Sequence, residues 1–212
     1  MSTNVYTYGI IEQESLELSV EGVAGADSVY TVDHRSLSAV VSDIETTEPD
    51  RTDEAVETHN NVLQQILEYD GGRTVVPMSF GMGFKDTRTL KGVLRGARPT
   101  IESTLEKISG TVELGVKIIA PATGRLSRNA VKSTATELFS AASINETDND
   151  LFTDRLIVNK SYLVDRDHRE AFDDAVDEIE AEYGDTVTIQ YTGPWPPYNF
   201  VDIRIGADQG GR

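Results

Sequence analysis

The chain has 212 residues, 38% of them hydrophobic and 26% charged, which is enough apolar mass for one large domain or two small ones. Thirty-six acidic residues against nineteen basic ones give a formal net charge of −17, a surface that repels nucleic acid and anionic membranes. Cysteine is absent, which excludes disulfides, zinc ribbons and thiol catalysis, and no apolar stretch approaches the roughly 20 residues that cross a bilayer.

Of the basic residues 13 are Arg and 6 are Lys. Many carboxylates with few lysines resemble the composition of proteins from salt-in halophiles, where a Debye length of about 3 Å at molar salt removes the self-repulsion. The first residues carry neither a basic stretch nor an apolar run of the kind that directs secretion, so a cytoplasmic location is expected.

In chain order, Val5–Ile11, Ser28–Val32 and Leu37–Val41 read as strands, the last two joined by a turn at Asp33–Ser36. Thr52 or Asp53 caps a helix to about Tyr69, with Val56, Leu63, Ile66 and Leu67 on one face, and Gly71–Gly72 stop it. Thr74–Phe80 reads as a short buried strand running into the loop Gly81-Met82-Gly83. Asp86 caps a further helix with an apolar stripe from Leu90 to Ile108, and Pro99 is expected to kink or split it near Arg98. In the second half Val112, Leu114, Val116 and Ile118 alternate as a half-buried strand does. Pro121–Gly124 is a loop, Arg128–Ser143 a weakly amphipathic helix, and Ile144–Asp154 a polar linker. Arg155–Asp165 is a strand and Asp167–Tyr183 the clearest helix, apolar at Phe172, Val176 and Ile179 and acidic on its other side. Val187–Tyr191 and Phe200–Ile205 are the last strands, and the tail from Ala207 is expected to fray. The order βββαβα then βαβαββ implies an α+β class with mostly antiparallel sheets. Two small domains are expected, 1–110 and 111–212, the second a modified ferredoxin-like fold.

The chemistry-bearing residues are sparse. The loop Ser79–Lys85 lies between a strand and a helix, the topology of a phosphate-binding loop. Its spacing fits neither nucleotide fingerprint, and a structural turn is the simpler reading. His59 follows the apolar spacing of its helix and reads as a core-edge histidine; it has no catalytic partner in sequence. The acidic run Asp173–Glu182 has the spacing of a solvated helical face, unlike a calcium loop. No catalytic residue, metal ligand or cofactor is assigned. Against the overall charge, Lys85, Arg88, Lys91, Arg95 and Arg98 recur every three or four residues. They form either a docking stripe for an acidic partner or, the favoured reading, a set of internal pairs with the chain's own carboxylates. Gly193-Pro194-Trp195-Pro196-Pro197-Tyr198-Asn199-Phe200 carries Trp195, Tyr198 and Phe200 on a proline-stiffened backbone. That segment is either a ledge for a partner or a plug for the end of a domain core.

The same segment, Gly193 to Val201, resembles the C-terminal signature of the GvpF/GvpL gas vesicle protein family. Tyr6–Ile10 is similar to the family's first strand, His59–Leu63 to its first-helix histidine motif, and Val76–Gly81 to its proline–phenylalanine–glycine strand. Val112–Lys117 and Asn159–Val164 resemble two later strands, so the likeness runs through nearly the whole chain in order. Length and acidity resemble the haloarchaeal GvpF branch more than the longer GvpL. The resemblance implies a two-domain α+β protein with no enzymatic activity, located at the gas vesicle and binding its small hydrophobic shell protein GvpA and other accessory proteins. Helping to nucleate or assemble vesicles is its implied task. The competing readings are a small-ligand-sensing ferredoxin-like module and an unrecognised hydrolase.

Overall fold

A computed structural model describes residues 3–122 and 126–202. Contacts divide the chain into two compact units, one formed by residues 3–109 with 201–202 and the other by residues 110–200.

The first unit is built on one antiparallel sheet with a helix on each face. Its strands are β1 (Asn4–Glu12), β2 (Glu17–Leu18), β3 (Val29–His34), β4 (Leu37–Ile44), β5 (Val76–Pro77) and β6 (Gly83–Phe84), in the order β2-β3-β4-β1-β5, with β6 also paired to β1. The helices are α1 (Asp53–Glu68) and α2 (Thr87–Lys107). Thr52 caps α1 by accepting from the Ala55 amide, and Asp86 caps α2 by accepting from that of Thr89. Val62, Leu63 and Ile66 of α1 pack with Tyr6, Tyr8, Val40 and Ile44 on one side of the sheet. Leu90, Leu94, Ile101 and Leu105 of α2 pack with Val5, Ile10, Ala39 and Val41 on the other, where Val201 also packs. Because both faces are covered, β4 is buried at every residue but Asp43.

Neighbouring side chains of β1 should alternate between these two clusters, yet Tyr6 and Tyr8 face α1 while Ile10 faces α2. The register explains it: Thr7 pairs Val41 and Gly9 pairs Val40, leaving Tyr8 as the extra residue of a bulge. Parity reverses there, so both halves of an otherwise continuous apolar strand find a core.

The second unit runs β7 (Thr111–Ile119), α3 (Arg128–Ala141), β8 (Asn145–Asp148), β9 (Leu156–Asp165), α4 (Arg169–Tyr183) and β10 (Thr188–Trp195). Its antiparallel sheet has the order β10-β7-β9-β8, the βαββαβ arrangement of a ferredoxin-like fold. Both helices cover one face, where Phe139 of α3 and Phe172 of α4 stack with ring centroids 5.2 Å apart. Tyr162 of β9 meets them at 5.4 and 5.1 Å.

Three expectations are corrected. Strand β8 lies inside the stretch read as a polar linker; it is an edge strand with only polar residues, so no apolar alternation announced it. Pro99 does not split α2, which is one helix of 21 residues. Pro99 and Arg95, whose carbonyl loses its partner, are both exposed, so water satisfies that group. Finally, Tyr198–Phe200 is a short 3₁₀ turn and residues 201–202 are irregular. The remainder of the expected last strand, 203–205, and the tail from 207 lie outside the described residues.

Candidate interaction surface

In the second unit the strand register sorts side chains onto two faces. Leu114 pairs Tyr162 and Tyr191 pairs Val116, on the face packed by α3 and α4. Glu113, Gly115 and Lys117 of β7 therefore point to the face without helices, as do Asn159, Ser161 and Leu163 of β9. Glu113, Asn159 and Ser161 are nevertheless buried. Two irregular segments cover them.

The first is the proline-rich segment. Strand β10 keeps register with β7 to Thr192↔Gly115 and resumes at Trp195↔Glu113. The residues between bulge out, with Gly193 at φ 114, a conformation side chains resist. A methyl group there would also come within 2.7 Å of the Glu113 carbonyl. Pro196 and Pro197 are buried, and Asn199 then fastens the segment. Its backbone N–H donates to Glu113 Oε2 at 2.9 Å, and its side-chain amide donates to Glu113 Oε1 at 2.5 Å and to Ser161 Oγ at 3.0 Å. The second segment is the loop after β8. Asn149 Nδ2 donates to the same Ser161 Oγ at 3.1 Å, and Asn159 Nδ2 donates to the Asp150 carbonyl at 2.8 Å.

Held in this way, both segments turn apolar side chains to solvent. Trp195 is 40% exposed, Tyr198 38%, Leu151 59% and Phe152 73%. Lys117 Nζ lies 5.6 Å from the Phe152 ring centroid, which keeps that ring over the sheet. The proline-rich segment is therefore plug and ledge at once. Pro196, Pro197 and Asn199 close the sheet face, while Trp195 and Tyr198 look outward and Phe200 is half-buried. Leu151 and Phe152 escaped the sequence reading because two apolar residues among aspartates and asparagines look like loop. Their only signal was that adjacency within a polar run.

The basic residues sit in the first unit, on α2. Arg88, Lys91 and Arg95 are exposed and Arg98 is half-buried. Among the described residues the one ion pair of the stripe is Arg98 Nε with Glu102 at 4.0 Å. The Asp86 carboxyl, which caps the helix, is held below its ordinary range first by its bonds to Thr89 and in smaller part by Lys85 and Arg88, so the stripe has two acidic neighbours of its own and otherwise faces solvent.

His59 belongs to a closed network. Its Nε2–H donates to the Met78 carbonyl at 3.1 Å and its Nδ1 accepts from the Tyr6 hydroxyl at 2.8 Å, while the Tyr6 oxygen accepts from the Gly81 amide at 3.1 Å. Beside it the Tyr8 hydroxyl accepts from Val23 N–H at 2.8 Å and shares a hydrogen bond with Ser42 at 2.8 Å. Burial pushes the imidazole down to about 4, slightly offset by its bond to Met78. Both ring nitrogens are occupied, so His59 organises core. The loop Gly81–Gly83 is spent in the same way: the Gly81 amide is taken by Tyr6, the Met82 carbonyl accepts from the Thr7 amide at 2.9 Å, and Met82 and Phe84 pack inward. No cradle for a phosphate results.

Comparison with known proteins agrees with this geometry along the whole chain. Residues 4–136 and 124–202 match the family described as gas vesicle synthesis protein GvpL/GvpF. The chain is 68% identical to gas vesicle protein F of Haloferax mediterranei over 99% of its own length and 98% of the relative's. It is 67% identical to gas vesicle protein F1 of Halobacterium salinarum over the full length of both. In fold it is similar to the crystal structure of GvpF from Anabaena sp. PCC7120, with a TM-score of 0.84 at 18% identity, covering 96% of this chain and 100% of that one. The crystal structure of GvpF from Microcystis aeruginosa gives 0.82 at 17% identity, covering 95% and 100%. With matching sequence, fold and extent, the chain belongs to the gas vesicle synthesis protein GvpL/GvpF family.

Proposed function

We propose that this gas vesicle accessory protein binds the small hydrophobic shell protein GvpA, together with other accessory proteins, and helps nucleate or assemble the vesicle without a catalytic step. The observation that carries this reading is the helix-free face of the second unit. There Leu151, Phe152, Trp195 and Tyr198 are exposed on segments pinned by Asn149 and Asn199. A shell subunit that packs into a gas-tight wall exposes apolar surface before assembly, which invites aggregation. A rigid aromatic ledge on a chain of net charge −17 can cover such surface and keep the complex soluble. The place of action on this reading is the cytoplasm and the growing vesicle.

The test is co-expression with GvpA and pull-down in molar KCl. The wild-type chain raises the soluble fraction of the shell protein and retains it. Trp195→Ala with Phe152→Asp lowers retention by about tenfold, which is about 1.4 kcal/mol of docking energy. Equal retention by that variant, or no change in the soluble shell protein with the wild type, sinks the holding role.

A further inference from the structure

We propose that the solvent face of α2, formed by Arg88, Lys91, Arg95 and Arg98 with Arg35 beside them, is a second docking surface, and that it takes a carboxylate-bearing helix of a partner protein. The surface is independent of the aromatic ledge: it lies in the other unit and offers charge instead of apolar area.

Three observations converge on it. First, the stripe is sparsely matched although the chain has 36 acidic residues to draw on. Among the described residues the one ion pair of the stripe is Arg98 with Glu102 at 4.0 Å, and the N-cap carboxylate of Asp86 is the other acidic neighbour, felt by Lys85 and Arg88. Second, the arrangement weakens the helix that carries it. Like charges at three- and four-residue spacing repel. Arg88 stands in the first turn, where the helix dipole disfavours cations and the N-cap Asp86 is the one acidic group beside it. Third, Nε2 of His34, on the neighbouring strand β3, is buried without a hydrogen-bond partner. Its imidazole is held below its ordinary value by burial and then by Arg35, Arg95, Lys91 and Arg98, so those four cations gather round it.

The chemistry of the occupant follows. Positions 88, 91, 95 and 98 cover about 15 Å of helix at 1.5 Å per residue. A second helix lying alongside with acidic residues at the same rhythm sets one carboxylate against each cation. Three of the four are arginines, whose forked donors suit carboxylates in pairs. Nucleic acid also carries regular anions, but the field of the whole chain opposes a polyphosphate over many turns, whereas a short acidic helix meets the stripe alone.

The test uses the full chain in KCl stepped down from about 1 M, where exposed charges are largely screened, to about 0.2 M, where they are not, and, as probe, a fluorescently labelled alanine-based helical peptide with glutamates at the i, i+3, i+7 and i+10 positions. A peptide of identical composition with the glutamates spread around the helix, and a short DNA duplex, are the comparison probes. Fluorescence anisotropy should show binding of the striped peptide that weakens at least about tenfold in R88E/R95E. It should be unchanged in K132E, a charge reversal of equal sign at an exposed position in the second unit. R88Q/R95Q serves if the double reversal disturbs folding, which circular dichroism reports. The proposal is overturned if the two peptides bind alike, if DNA binds as tightly as the striped peptide, or if K132E loses as much as R88E/R95E. Self-association of the wild type that R88E/R95E abolishes would also overturn it, because the occupant would then be another copy of this chain. GvpA is absent from all these arms, so failure here leaves the shell-binding reading untouched.

Discussion

Asn199 holds Glu113 by both of its nitrogens, 86 residues apart in sequence, and so a buried carboxylate on β7 decides where the proline-rich segment lies. The arrangement is specific in a way an apolar contact is not. A buried carboxylate left short of donors carries its full desolvation penalty, so the segment has one satisfactory position. Asn199→Ala removes the side-chain donor from Glu113 and Ser161 and is expected to cost about 2 kcal/mol in urea or thermal unfolding at high salt. Trp195, the single tryptophan, reports the local effect. Its fluorescence should shift toward the red as the ledge loosens. Unchanged stability together with an unchanged spectrum would show that the clamp is dispensable.

Gly9 tests the other unit. It follows the bulge at Tyr8, and a methyl group there would lie 2.8 Å from Val75 Cγ1, 2.9 Å from Leu63 Cδ2 and 3.0 Å from the Val76 carbonyl. The side chains can give way, but the carbonyl belongs to the pairing of β1 with β5. Gly9→Ala should therefore destabilise the chain by about 1–3 kcal/mol through overpacking. Equilibrium denaturation measures this, and a neutral or stabilising effect would mean β5 moves freely away.

What the sequence disclosed and what it hid divide along a physical line. Helices α1, α2 and α4 were legible because their apolar stripes face one core and their caps are local, as Thr52 and Asp86 show. The parity reversal at Tyr8 was not, because Val5 to Ile11 is apolar on both sides and a bulge leaves no trace in such a run. Strand β8 was hidden because Asn145 to Asp148 bring no apolar face to the sheet, only backbone pairing and the carboxylates of Glu146 and Asp148, which lie 2.6 and 3.5 Å from Lys160. At the candidate surface, Trp195 and Tyr198 were visible as exceptional residues. That Leu151 and Phe152 share their sheet face depends on two asparagines meeting one serine, a coincidence in space that no spacing in the chain encodes.

Salt should act in the direction set by charge. Two close ion pairs, Arg73 with Glu14 at 2.6 Å and Lys160 with Glu146 at 2.6 Å, are weakened by added salt, but the net charge of −17 repels itself over the whole molecule. Shortening the Debye length from about 10 Å to about 3 Å relieves that repulsion. The thermal midpoint should rise steadily as KCl is raised from about 0.1 M to about 1 M. A midpoint that falls over this range would place the ion pairs above the global charge.

Acid should find His59. The folded imidazole is depressed to about 4 against 6.5 for the free side chain. Above pH 6.5 the residue is neutral in both folded and unfolded chains, and its contribution to stability is fully present. As pH falls from 6.5 to 4 the unfolded chain takes up the proton and the folded one does not, so stability is lost across that window, by about 3 kcal/mol at its lower end. Below it both states are protonated and the loss levels off. His59→Gln keeps a donor for Met78 and an acceptor for Tyr6 but does not titrate. The difference in unfolding free energy between wild type and His59→Gln, measured across this range at constant high salt, should therefore narrow or reverse as pH falls. Carboxylates that titrate nearby, Glu14 held low by Arg73 and Glu146 by Lys160, are common to both chains and cancel in the comparison. Parallel curves would mean that the folded chain protonates His59 as readily as the unfolded one, and the closed Tyr6–His59–Met78 network would then have to open in acid.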